Sequence, residues 1–177
     1  MAVRIFTDSA CDLEFSELEA LQVELLRIPV FFDEERYIEG ENLTREEFYE
    51  KLAVSERLPK TAQITPVEFE EAFRPYVEAG EEIVVLPLAK ELSGTYQSAC
   101  IAAEDLKSEY SDAKIVVIDS LSASRGQGML LYRTVQERRR SSPDIETLAA
   151  YVRSILQTQC HWFIVDDLNH LKRGGRV

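Results

Sequence analysis

The chain reads as an α/β protein, a parallel sheet with helices on both faces. Three observations predict this. Short apolar, β-branched runs alternate with longer segments of helical periodicity along the whole length, the pattern of strand, crossover helix, parallel strand. The run Ile83-Val84-Val85-Leu86 has no polar alternation, as a strand covered on both faces requires. Polar residues gather just after the strands, where an open α/β sheet has its ligand crevice.

Ala2-Val3-Arg4-Ile5-Phe6 is the first strand, and it runs into Thr7-Asp8-Ser9. Two roles stand open for those polar residues: capping the next helix, the ordinary one, or lining the crevice. Ser16-x-x-Glu19 offers a further helix start. Val23 to Phe32 forms a second strand, in which Pro29 has no N–H to give and marks an edge or an irregularity. Tyr37-Ile38 is a short extended piece, followed by a turn at Gly40. Thr44-Arg45-Glu46-Glu47 is a capping box that opens a short helix with Phe48 and Leu52 inward. The connection Leu58 to Ile64 then presents Lys60, Thr61 and Gln63. In Thr65-Pro66-Val67-Glu68, Thr65 is the cap, Pro66 takes the first helical position and Glu68 reaches back. Phe69, Ala72, Phe73, Tyr76 and Val77 form the apolar stripe of that helix, and Gly80 ends it.

The central strand around Ile83 to Leu86 follows. Beyond it come Ser93, Gly94 and Thr95, then Ala99, Ala102, Ala103, Leu106 and Tyr110 at helical spacing. A helix amino terminus offers unpaired N–H groups and a partial positive charge, which suit a carboxylate or phosphate. Ser93 and Thr95 add donors, and Gly94 lets a ligand approach the backbone. The same residues also suit a plain helix cap. Lys114 to Ser120 is another buried strand, and Ser120, Ser122 and Ser124 continue the hydroxyl run as a second wall. Gly126 and Gly128 loosen the next helix start or pack it closely. Arg138-Arg139-Arg140 reads as a solvated basic helix end. Ser142-Pro143-Asp144 opens a helix with Ile145, Leu148, Ala149, Val152, Ile155 and Leu156 on one face. His161 to Val165 is a last strand, leading to the basic turn Lys172-Arg173-Gly174-Gly175-Arg176. Such a turn normally leads into another element. The expected organisation is an α/β domain over 1–157 and the start of a second α/β domain, cut short, over 158–177.

With 177 residues and 45% of them hydrophobic, the chain is long enough to bury a sizeable core. A net charge of -12 argues against nucleic acid or an anionic membrane surface as partner. No apolar run approaches the ~20 residues of a membrane-spanning helix, so no stable membrane insertion is expected, and Met1 to Asp8 does not resemble a signal peptide. Cys11, Cys100 and Cys160 form no C-x-x-C pair and read as reduced thiols of a cytoplasmic protein. His161 and His170 belong to no metal-ligand cluster. There is no G-x-S-x-G and no P-loop, and Gly126-x-Gly128 lacks the rest of a dinucleotide fingerprint. The chemistry left over suits binding better than covalent catalysis; no catalytic residue, metal or cofactor is expected.

Five short motifs, in order along the chain, resemble those of the DegV family: Thr7-Asp8-Ser9; Lys60-Thr61-Ala62-Gln63; Leu92-Ser93-Gly94-Thr95-Tyr96-Gln97-Ser98-Ala99; Val117-Ile118-Asp119-Ser120 with Ser122, Ser124, Gly126 and Gly128; and Leu171-Lys172-Arg173-Gly174-Gly175-Arg176. Thr61-Ala62-Gln63-Ile64-Thr65 stands where the family usually reads Thr-Ser-Gln-Pro-Ser. The resemblance implies the EDD-type fold of bacterial lipid-binding proteins that present a bound acyl chain to a fatty acid kinase. It also implies a second domain of roughly another hundred residues, a common domain size, with the binding tunnel between the two domains. By the same resemblance, Thr61, Ser93 and the Gly94 N–H hold a fatty acid carboxylate. Asp8, Ser9, Thr95, Ser120 and Ser122 are candidates for the pocket lining, and Arg173 and Arg176 are implied to form a basic rim near the carboxylate that helps dock the kinase or steadies the acyl phosphate made there. Two other classes remain open: an enzyme acting on a small acidic or phosphorylated metabolite at the same crevice, and a regulatory module whose ligand controls partner binding.

Overall fold

The structure is a computed structural model; it describes residues 3–55 and 57–160, together with Trp162, Ile164, Leu168 and Lys172. In chain order the elements are β1 (Val3–Asp8), a 3-10 turn (Ser9–Cys11), α1 (Phe15–Leu21), β2 (Val23–Leu26), β3 (Val30–Phe32), β4 (Glu35–Tyr37), α2 (Arg45–Val54), β5 (Lys60–Thr61), α3 (Pro66–Glu78), β6 (Glu82–Leu86), α4 (Thr95–Glu109), β7 (Ile115–Val117), α5 (Ser124–Ser141) and α6 (Ile145–Leu156). They divide into two compact units, Met1–Leu26 with Ile64–His161, and Arg27–Gln63 with Trp162–Val177.

The first unit is built on a parallel sheet of order β2-β1-β6-β7. Every residue of β6 is buried, as the apolar run Ile83 to Leu86 requires, and Glu82 at its start is paired with Lys114. Alternate side chains serve opposite faces. Val3, Ile5, Val84 and Leu86 pack with Leu18, Leu21, Leu130, Leu131, Leu148 and Val152 of α1, α5 and α6. On the other face Phe6 meets Phe73 of α3 edge-on at 5.0 Å, and α4 lies against α3 and β7. Phe69 and Phe73 are wholly buried, each contributing about 1.5–3 kcal/mol by leaving water.

This topology decides where the crevice opens. From β1 the chain passes through α1 to β2 on one side; from β6 it passes through α4 to β7 on the other. Parallel crossovers are right-handed, so helices following strands that wind apart leave on opposite faces. The switch point therefore lies between the carboxyl ends of β1 and β6.

The second unit holds an antiparallel sheet of order β4-β3-β5. Val30 of β3 pairs with Tyr37 on one side and Thr61 on the other. The strand expected over Val23 to Phe32 is two strands: β2 ends at Leu26 in the parallel sheet, and β3 starts at Val30 in the antiparallel one. Pro29 falls in the gap, where its missing N–H ends the ladder and its carbonyl accepts from Ala62 N at 3.3 Å. Phe32 packs edge-on to Tyr37 and Phe48. Thr44 and Glu47 close the capping box of α2, whose inward residues Phe48 and Leu52 are half-buried.

The basic end of α5 differs from its expected role. Arg138 donates to Leu21 O at 2.9 Å and to Val3 O and Gln22 O, each at 3.3 Å. Arg139 donates to Ala20 O. Carbonyls in the last turn of a helix lack intrahelical partners, and these guanidinium groups satisfy those of α1. Arg140 keeps the surface role, paired with Glu137. The strand expected at His161 to Val165, Trp162 and Ile164 apart, and the turn carrying Arg173 and Arg176 lie outside the described residues.

Candidate functional site

The loop from β6 to α4 begins at Pro87, which has no N–H to donate. Four of the amides that follow are hydrogen-bonded. Leu88 N donates to Asp8 Oδ2 at 2.6 Å, Ala89 N to Ser122 O at 3.0 Å, and Lys90 N to Asp119 Oδ1 at 3.3 Å. Leu92 N closes a turn onto Ala89 O at 2.9 Å. The loop is thus fastened to the end of β1 on one side and to the β7–α5 loop on the other.

Fastened in this way, the loop delivers Ser93 and Gly94 to the amino terminus of α4. Gly94 is the cap residue, with ordinary φ of -69° and no side chain to cap with. Ser93 Oγ accepts from Thr95 N at 3.2 Å and lies 2.9 Å from Thr95 Oγ1. Ser93 is half-buried and Gly94 exposed, whereas Thr95 is enclosed. A reachable hydroxyl therefore stands beside the first-turn N–H groups of α4, where the helix dipole favours an anion.

At the end of β1, Thr7 and Asp8 have almost no exposure. Thr7 Oγ1 donates to Leu86 O at 2.8 Å. The Asp8 carboxylate accepts from Leu88 N, from Ala10 N at 3.0 Å and from Gln127 Nε2 at 3.2 Å. Burial pushes the Asp8 carboxyl above its ordinary range, and these three donors offset only part of that rise. Ser9 follows in the 3-10 turn that Asp8 caps, and is half-buried.

In the β7–α5 loop, Ser120 Oγ donates to Ser122 O at 3.1 Å and accepts from Ser122 N at 3.2 Å. Both serines are buried, and they brace the backbone that receives Ala89 N. Leu121 between them has φ of +51°, a conformation that costs a non-glycine residue roughly 1–2 kcal/mol. Asp119 Oδ1 holds Leu121 N at 3.1 Å.

Seven residues expected at the site therefore belong to the carboxyl end of the parallel sheet: Asp8, Ser9, Ser93, Gly94, Thr95, Ser120 and Ser122. Thr61 is an exposed residue of β5 in the other unit. Arg173 and Arg176 lie outside the described residues. Sequence reasoning missed Thr7 as a brace and Gln127 altogether; the signal for Gln127 was its place between Gly126 and Gly128. A Cβ on Gly128 would stand 2.9 Å from Cys11 O, so the glycine admits α5 to this distance.

Cys11, Cys100 and Cys160 are free. Burial pushes the Cys11 thiol up to about 11, which makes it a poor nucleophile at neutral pH. Among the described residues no group of His, Cys, Asp or Glu is placed to hold a metal ion, and no helix is long and apolar enough to cross a membrane.

The sequence model of the DegV family, described as uncharacterised proteins, matches residues 2–177. A DegV domain-containing protein of Clostridium perfringens is 39% identical over 175 residues, which cover 98% of this chain and 60% of that protein. One from Lactococcus lactis is 36% identical over 178 residues, covering all of this chain and 61% of that protein. Among solved structures, a stearic acid-binding protein from Eubacterium ventriosum superposes with a TM-score of 0.91 at 31% identity, over 99% of this chain and 60% of that one. DegV, a fatty acid binding protein from Bacillus subtilis, superposes with a TM-score of 0.87 at 27% identity, over 99% and 61%. The chain spans about 60% of the length of the relatives it matches.

Proposed function

The chain belongs to the DegV family, and from that premise we propose that it binds a long-chain fatty acid and presents the carboxyl group to a partner fatty acid kinase for acyl phosphate formation. The observation that carries the reading is the fastened loop at the switch point, which sets the Ser93 hydroxyl and the exposed Gly94 at the amino terminus of α4. A reachable hydroxyl at a helix amino terminus supports the reading of an anion site that takes a carboxylate. The fatty acids bound by the Eubacterium ventriosum and Bacillus subtilis proteins supply the ligand class.

Ser93 and the Gly94 N–H are proposed to hold the carboxylate. Thr61 joins them on the strength of its motif. Asp8, Ser9, Thr95, Ser120 and Ser122 support the lining, and Arg173 and Arg176 form the basic rim toward the kinase, where guanidinium groups suit carboxylate and phosphate. Residues 158–177 open the second domain in this reading. The energetic division of labour follows from chemistry. Each buried methylene contributes about 0.8 kcal/mol, whereas a hydrogen bond to a charged group contributes about 1.5–3 kcal/mol. The tail supplies affinity and the head-group residues supply orientation. The function is binding and presentation, with no cofactor, and the free thiols accord with a cytoplasmic place of action.

The test is mass spectrometry of an organic extract of the purified protein. A stoichiometric long-chain fatty acid, lost from the Ser93→Ala, Thr61→Ala double variant, is the expected result. An extract without fatty acid overturns the reading and turns attention to an enzyme acting on a small acidic or phosphorylated metabolite. Phosphorylation of the bound acid by an added fatty acid kinase, absent with either protein alone, tests the second step.

A further inference from the structure

Gln127 lies in the first turn of α5 with no exposure to solvent. Its Nε2 is 3.0 Å from Thr7 Oγ1, 3.2 Å from Asp8 Oδ1 and 3.2 Å from Leu86 O. All three atoms are acceptors toward it. Asp8 is a carboxylate, Leu86 offers a carbonyl, and the Thr7 hydroxyl already donates its hydrogen to Leu86 O. The surroundings therefore settle which end of the amide faces them. Oε1 points elsewhere, buried, with no hydrogen-bond partner among the described residues.

That arrangement is unfavourable to stability in two ways. A buried acceptor without a partner forfeits its hydration, and an apolar side chain of the same shape avoids this loss. Gly126 and Gly128 flank the residue, although glycine is among the poorest residues for a helix. Gly128 is needed because a Cβ there would meet Cys11 O at 2.9 Å and Leu13 Cδ2 at 3.0 Å. The chain thus accepts a weakened helix start in order to bring a partly unsatisfied amide to the ends of β1 and β6. Stability alone does not call for glutamine at this place.

What the amide supplies is position. Asp8 Oδ1 is shared between Ala10 N and Gln127 Nε2, and Oδ2 is left to Leu88 N. With donors on both oxygens from three directions, the carboxylate has one orientation. Leu88 N is the first fastening of the loop that ends in Ser93 and Gly94. Removing the Gln127 donor leaves the carboxylate held by the Ala10 and Leu88 amides alone, without its brace from α5, and loosens that fastening; functional groups lose effect when supporting residues leave them about 1 Å adrift.

We infer that Gln127 is a positioning residue for the carboxylate site: by fixing Asp8 against Leu88, it sets where Ser93 and Gly94 stand relative to the ligand head group. The inference rests on the fatty-acid reading above. It also assigns Thr7 a supporting part, since its hydroxyl joins Gln127 to Leu86.

The experiment compares stearic acid with methyl stearate, which shares the tail and lacks the carboxylate, in competition against a fluorescent fatty acid analogue. Gln127→Met keeps the length and removes the donor; Thr7→Val keeps the shape and removes the hydroxyl. Wild type is expected to prefer the acid. In Gln127→Met that preference falls by about tenfold, the loss of roughly one well-placed charged hydrogen bond, while ester affinity and the urea midpoint hold. Thr7→Val shows a smaller fall of the same kind and decides the matter alone if the methionine variant does not fold. An unchanged acid-to-ester ratio in both variants overturns the assignment, as does a parallel loss of acid and ester affinity, which a purely structural role produces. A wild-type protein that binds neither ligand, or both equally, overturns the carboxylate site itself and the inference with it.

Discussion

The Leu88 amide donates to the Asp8 carboxylate over 2.6 Å, joining residues 80 positions apart in sequence at the ends of two neighbouring parallel strands. This hydrogen bond lies across the switch point of the sheet. It turns a loop of ordinary composition into a fixed support for Ser93 and Gly94, so the candidate site is held by backbone geometry as much as by its own side chains.

Ser93→Ala removes the reachable hydroxyl beside the α4 amino terminus. Fatty acid affinity is expected to fall about ten- to hundredfold, the equivalent of a hydrogen bond to a charged group. The protein should remain folded, since Ser93 is only half-buried. Titration with stearic acid alongside a urea melt separates the two effects; intact affinity rules Ser93 out of the head-group site.

Gly128→Ala tests the close approach of α5. Alanine is the better helix former by about 1 kcal/mol, yet its Cβ would stand 2.9 Å from the Cys11 carbonyl oxygen. Backbone cannot yield as a flexible side chain does. A net loss of roughly 1–3 kcal/mol in the urea unfolding free energy is expected; a gain in stability refutes the packing argument.

Arg138→Ala leaves the carbonyls of Val3, Leu21 and Gln22 without their guanidinium donor. About 1–3 kcal/mol of stability should be lost. Arg138→Lys restores little, because a point charge on a flexible stem cannot span three acceptors. Arg140→Ala, removing only a surface pair with Glu137, should change the thermal midpoint far less.

Asp144 caps α6 by accepting from Thr147 N at 2.8 Å, and its hydrogen bonds to Thr147 hold the carboxyl below its ordinary value of 3.8. A carboxylate whose folded value is depressed stabilises the fold above its unfolded value, and the contribution is lost as pH falls through the folded value. Asp144→Ala should therefore be less stable than wild type at pH 7. The gap should close as the pH drops below about 3.8, the usual range of an aspartate. A gap independent of pH in unfolding curves from pH 7 to pH 3 contradicts the capping role.

Much of the fold was legible because it rests on local rules. Thr44 with Glu47 and Thr65 with Glu68 form the capping boxes their spacing announces, since such caps need only residues three apart. The run at Ile83 to Leu86 is the covered strand its composition requires. Val23 to Phe32 was harder: it is apolar on both sides of Pro29, and only the pairing partners show that the halves serve different sheets. The role of Arg138 was hidden for a similar reason, because its acceptors lie more than a hundred residues away along the chain.

The sequence by itself determined the strands and helices of the parallel unit and their order, the caps of α2 and α3 and the hydroxyl-bearing loop ahead of α4. These follow from periodicity and short-range hydrogen bonding, which act over a few residues. It did not determine the start of α1, which is capped at Glu14 and not at Ser16, nor the strand at Lys60–Thr61. Tertiary structure alone decided which strand ends meet and which amide reaches them. Asp8 meeting Leu88, and Gln127 reaching both Thr7 and Asp8, are contacts between β1, the loop after β6 and α5. They depend on the order of strands in the sheet and on a glycine whose absent Cβ matters only once Cys11 stands opposite it.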